Sequence, residues 1–160
     1  MSDRKLSPHF WLREFLRSAT ASRMGRPIEW PPEYVEANLE RLCTDVLEPV
    51  RKAIGKPFTI LSGYRPVWLN TAVGGSSRSD HLTGRAADII VAGMSNEAVC
   101  QRIIDMGLPF RQLILEFPPN GWVHVSIGNA GTAKQEVLTA SKQGKATVYM
   151  RGLQKRSLTA

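Results

Sequence analysis

Residues 62–88 read SGYRPVWLNTAVGGSSRSDHLTGRAAD, and residues 116–124 read EFPPNGWVH. The first stretch holds His81 and, seven residues on, Asp88; the second ends in His124. A His and an Asp at that separation cannot share one helix face. They can meet where a tight turn joins a loop to a strand. Thr83-Gly84 supplies the turn, and residues 86–91, apolar and partly β-branched, predict the strand. His81, Asp88 and His124 then form a set of two imidazoles and one carboxylate. That is the ligand count of a catalytic zinc site, which keeps a fourth position open for water. Such ligands leave zinc a strong Lewis acid, and bound water falls from a pKa of roughly 16 to about 7.

Elements on either side serve this stretch. Residues 58–62 read as a strand that delivers the Gly63-Tyr64-Arg65 corner. Residues 112–117 and 122–126 read as the arms of a hairpin around Pro118-Pro119-Asn120-Gly121. Upstream, Ser7-Pro8 looks like a helix start, and Trp11, Leu12, Phe15, Leu16 and Ala19 follow at helical spacing. His9 shows no partner pattern and reads as a surface residue. Residues 18–32 are a proline-rich loop. A longer helix is expected over 33–53, with Pro49 kinking it or opening a separate last turn. Ser95 caps a third helix over 96–106, stopped by Gly107. Residues 146–150 suggest a late strand, with little order expected beyond Arg151.

The chain has 160 residues, 42% of them hydrophobic, enough for one domain with a real core. No run approaches the ~18 apolar residues of a membrane span. The N-terminus lacks the apolar region of a secretory signal, so synthesis in the cytoplasm is expected. Cys43 and Cys100 sit in apolar helical patterns and read as buried thiols, not a disulfide framework. Lys and Arg number 21 against 14 Asp and Glu, a net charge of +7. No acidic residue follows Glu136, while Lys142, Lys145, Arg151, Lys155 and Arg156 do. This basic end is either a solvated tail or a tether to an anionic polymer or membrane. Charge alone would also suit nucleic acid, but no recognition motif accompanies it, and no nucleic-acid partner is expected.

The pattern Ser79-x-His81-x-x-Gly84-x-Ala86-x-Asp88, with Ser62-Gly63-Tyr64-Arg65 before it and Trp122-x-His124 after, resembles the zinc D-Ala-D-Ala peptidase family. Leu69-Asn70-x-x-Val73-Gly74-Gly75 is similar to its phage branch. The resemblance runs over roughly residues 10–126. It implies the fold shared with the Hedgehog signalling domain, one zinc ion on His81, Asp88 and His124, and hydrolysis of cell-wall peptides. It also implies that Arg65 polarises the scissile carbonyl, a task suited to a planar, always-charged fork, and that Ser79 helps hold substrate. Pro66 stands where relatives often have Ser and constrains Arg65. Asp80 stands where Gln is common and is expected to point outward. Tyr64 is read as a further substrate contact, and Trp122 as either core or a wall of the cleft.

Peptide hydrolysis also needs a proton acceptor. Many relatives place a Glu three residues before the last His ligand; here that position is Gly121. Glu116 is the remaining candidate. It faces the same side as His124 only if the hairpin loop is odd, residues 119–121 or 118–122, with Glu116 opposed to His124. An even loop would turn it away.

The reading is therefore an α+β domain over residues 1–150, its helices on one side of a small, mainly antiparallel sheet, with a basic tail over 151–160. It is expected to be a monomeric zinc metallopeptidase, carboxypeptidase- or endopeptidase-like, cutting the peptidoglycan stem peptide or cross-link. The resemblance implies a phage or prophage endolysin, released to the wall or carried on a virion, a setting that the small size and basic charge fit. The alternative is a non-catalytic, zinc-containing cell-wall-binding module, favoured by Gly121.

Overall fold

A computed structural model of the chain describes residues 2–154. A short ribbon of β1 (Lys5–Ser7) and β2 (Phe10–Trp11) leads into a 3-10 turn, Leu12–Leu16, and then α1 (Ala19–Arg23). The helix expected from Ser7 does not form. Ser7 instead donates its hydroxyl to Glu48 at 2.6 Å. The stripe of Leu12 and Phe15 is buried, but at the three-residue spacing of a 3-10 turn. The cap belongs to Ser18, whose hydroxyl accepts from the Ala21 amide to start α1.

His9 is not partnerless. Its backbone N–H and its ring Nδ1 both donate to the Glu48 carboxylate. Glu48 is buried, which by itself would raise its pKa. The hydrogen bonds from Ser7 and His9 outweigh burial and hold it below its ordinary 4.5. A carboxylate lowered in this way contributes stability above its unfolded value and loses it as pH falls through the folded one. Glu48→Gln is expected to cost about 1–3 kcal/mol at pH 7. Urea midpoints of the two proteins should converge as pH drops below 4.5.

One long helical stretch comes next, as α2 (Glu33–Leu42), a π-helical turn (Cys43–Leu47) and α3 (Glu48–Ile54). The expected effect of Pro49 takes this form. Pro49 has no N–H for an α-helical bond, and the wider turn before it places it in the first turn of α3, where none is needed.

The sheet comprises β3 (Phe58–Ser62), β4 (Ala86–Val91), β5 (Gln112–Glu116), β6 (Trp122–Ser126), β7 (Glu136–Gln143) and β8 (Ala146–Arg151), in the order β3-β4-β6-β5-β7-β8. All neighbours are antiparallel except β5 and β7. The domain is α+β, as expected. One face of the sheet carries Ile89, Leu113, Leu115, Val123 and Val125, all fully buried against Val35, Leu39, Leu42 and α5 (Asn96–Asp105). Full burial of each such side chain contributes about 1.5–3 kcal/mol, so this face fixes the register of the opposite one. A smaller cluster joins α1 to α4 (Val67–Ala72) through Ala21 and Leu69.

β7 is a strand that sequence reasoning does not anticipate. Lys142 and Lys145 belong to the β7–β8 hairpin, not to a tail. The expected boundary at 150 falls inside β8. Past it the chain stays bonded, Gly152 N–H to Val137 O at 2.8 Å and Gln154 N–H to Thr139 Oγ1 at 2.9 Å. Lys155 and Arg156 lie outside the described residues. No helix among the described residues is long and apolar enough to cross a membrane.

Candidate active site

The 3-10 turn Asp80–Thr83 carries His81 and ends on Gly84 in the left-handed region, from which β4 leaves. Asn38 of α2 donates to Thr83 O at 2.8 Å and ties this turn to the helix layer. Asp88 is opposed to Ser62 on one side and His124 on the other. Local turn and sheet register thus bring the three predicted ligands together, with one donor atom of each within 4.8 Å of the others.

The tautomer of His81 is set by backbone. Its Nδ1 donates to Gly63 O at 2.7 Å. A carbonyl only accepts, so the proton is on Nδ1 and the Nε2 lone pair is left facing Asp88 Oδ1 at 3.3 Å. Gly63 is held tightly behind it, since a Cβ there would lie 2.8 Å from Phe15 O and from its Cα. His124 Nδ1 approaches the same Asp88 oxygen at 3.0 Å. A lone pair against a carboxylate oxygen is repulsive unless a cation lies between them. Burial pushes the His81 pKa down, against the pull of Asp88, and disfavours a proton in that role. Burial also opposes charge on Asp88, yet the two imidazoles hold it well below the usual carboxylate range. Two imidazoles and an ionised carboxylate, preorganised by a backbone acceptor behind one ring, fit one zinc ion.

Glu116 lies on the face of His124. The loop is odd, five residues over 117–121, but displaced by one from either predicted loop. Glu116 is therefore opposed to Trp122, and His124 to Ile114. Glu116 reaches the ligand set diagonally, not by direct opposition. Phe117, not Gly121, takes the left-handed conformation, at φ 49°. Gly121 is required for another reason: a Cβ there would lie 1.8 Å from Glu116 O. Burial pushes Glu116 up to about 7; His124 and Arg65 oppose the shift and Asp88 adds to it.

Arg65 sits by the ligands, its N–H bonded to His81 O at 2.9 Å. Burial lowers its pKa, while Asp88 and Glu116 raise it. Its Nε has no hydrogen-bond partner among the described residues. Trp122 is half-buried on the Glu116 face, edge-on to Phe117. Ser79 accepts from the His81 N–H at 3.3 Å, so its oxygen positions the ligand turn while its proton stays available. Tyr64 lines a cleft of about 390 Å³ with Trp30, Pro66 and Trp68, and burial, Tyr34 and Glu29 raise its pKa. Asp80 does not point outward but accepts from Arg111 at 2.7 Å. Sequence reasoning missed Arg111, and also Asn96, which donates to Gly121 O at 3.0 Å and steadies the hairpin loop.

A profile of the peptidase M15 family matches residues 8–126. The chain belongs to the peptidase M15 family. A stretch of 55 residues is 42% identical to the zinc D-Ala-D-Ala carboxypeptidase of Streptomyces albus G, covering 34% of this chain and 20% of that protein. The M15 match takes in all three ligand residues, Arg65 and Glu116 and stops at the end of β6, so β7 and β8 lie beyond it.

Proposed function

We propose that this M15 chain is a zinc-dependent peptidase that hydrolyses an amide bond in the peptidoglycan stem peptide or cross-link. The observation that carries the reading is the face shared by β4, β5 and β6 with the turn of His81: a three-residue set able to hold a metal, with a half-buried carboxylate beside it. The similarity to a zinc D-Ala-D-Ala carboxypeptidase supports the choice of substrate. His81, Asp88 and His124 would hold the zinc. When bound, zinc supplies Lewis acidity and acidifies water. Glu116 takes a proton from the attacking water at a carboxylate oxygen. As the C–O bond forms and the C–N bond breaks, it returns that proton to the leaving nitrogen. Its raised pKa suits both transfers. Arg65 donates hydrogen bonds to the carbonyl oxygen as charge develops there. Trp122 walls the site, and Ser79 donates to the substrate backbone.

A Hedgehog/DD-peptidase-like architecture is part of this reading, as is a setting in phage or prophage lysis. A net charge of +7 favours adsorption to an anionic cell wall. The deciding experiment incubates purified muropeptides with zinc-loaded protein and with a chelated sample. Mass spectrometry should show chelator-sensitive products, a lost terminal D-Ala, a split cross-link or a stem freed at its first residue. Folded, zinc-loaded protein that yields no product would instead support the binding-module alternative that Gly121 first suggested.

A further inference from the structure

The register of the sheet extends the site face beyond the matched family region. Trp122 is opposed to Glu116, Glu116 to Ala140, and Ala140 to Tyr149. One row away, His124 is opposed to Ile114, Ile114 to Leu138, and Leu138 to Arg151. Residues two apart on a strand share a face, so both rows lie on the side of the metal ligands. Tyr149 is 54% exposed, a large fraction for an aromatic aligned with a half-buried Glu. Fully buried Ala140, with its small side chain, lies between them. Lys142 shares the face but is engaged, bonded to Thr147 and set over the Phe117 ring. The Arg151 guanidinium pairs with no carboxylate among the described residues, although the backbone around it is held by β7.

We propose that Tyr149 and Arg151 form a substrate subsite for an acidic peptide, Tyr149 as an aromatic wall and Arg151 as the anchor for a carboxylate. This rests on the peptidase reading and says where a charged substrate lies. Arg151 is three strands from His124, about 14 Å at ~4.8 Å per strand. An extended peptide covers that distance in about four residues at ~3.3–3.6 Å each. The subsite therefore selects short peptides bearing a free carboxylate some residues from the bond that reacts. A cation with a planar fork on a paired strand is suited to that selection.

The test compares a free-acid stem tetrapeptide with the same peptide amidated at its side-chain carboxylates, measuring KM and kcat for hydrolysis and Kd by tryptophan fluorescence. The wild type should prefer the free acid by about ten-fold in KM and Kd, the scale of one charge-assisted hydrogen bond. Arg151→Gln should abolish that preference with kcat unchanged. Tyr149→Ala should raise KM for both peptides. Cleavage by the wild type with the preference intact in Arg151→Gln would overturn the subsite and leave the peptidase reading standing. A zinc-loaded wild type that neither binds nor cleaves either peptide would overturn both.

Discussion

Glu116→Gln should lower kcat by about 10²–10⁴-fold, the usual contribution of a positioned general base, while zinc content stays at one per chain. Glu116 is outside the ligand set, so its amide leaves His81, Asp88 and His124 as they are. Stability should move the other way. Burial lifts the pKa of Glu116 from 4.5 to about 7 in the fold. A group raised on folding contributes stability below its unfolded value and loses it as pH rises through the folded one. Metal-free Glu116→Gln should therefore melt above the wild type at pH 8, with a much smaller advantage at pH 5. Melting curves in chelator at both values measure this, and steady-state hydrolysis with zinc measures kcat. Activity that survives the substitution would place the base elsewhere.

Gly121→Glu, which installs a carboxylate three residues before His124, should damage this chain rather than improve it. A Cβ at 121 would lie 1.8 Å from Glu116 O and 2.8 Å from Glu116 C. Both are backbone atoms of the opposing strand end, so relief requires the hairpin to open. Overpacking of this kind costs about 1–3 kcal/mol, and opening the loop would shift Glu116 and Trp122 with it. Gly121→Ala carries the same Cβ without the carboxylate and should lose comparable stability in urea denaturation. A well-folded and more active Gly121→Glu would show that position 121, not 116, is where this scaffold wants its base.

The meeting of His81, Asp88 and His124 was legible because local rules fix it: a Gly-ended turn, a strand with alternating faces, and a hairpin return. The side taken by Glu116 depended only on the parity of the loop, and parity survived because the pairing moved by two residues, from His124 to Trp122 opposite Glu116. The shift itself was not legible, because it arises from Phe117 adopting a left-handed conformation that its residue type does not announce. At the N-terminus, apolar residues three and four apart suit both an α-helix and a 3-10 turn, and the buried Glu48 settled the matter from 41 residues away. β7 was hidden for a different reason. Its site face carries Leu138, Ala140 and Lys142, its other face Val137, Thr139 and Ser141, so no clean alternation marks it. The Lys-Gln-Gly-Lys turn between two β-prone runs was the available signal, and net charge obscured it.

Pairing of β5 with β7 also bears on how short the chain can be cut. The family match ends at residue 126, which tempts a minimal version stopping there. In that version β5 would keep β6 but lose β7 along residues 112–116 and present unpaired N–H and C=O groups at an open border. The strand bearing Glu116 would then be a template for its own copies. The β7–β8 hairpin moves that open border away from the strand bearing Glu116 and out to β8.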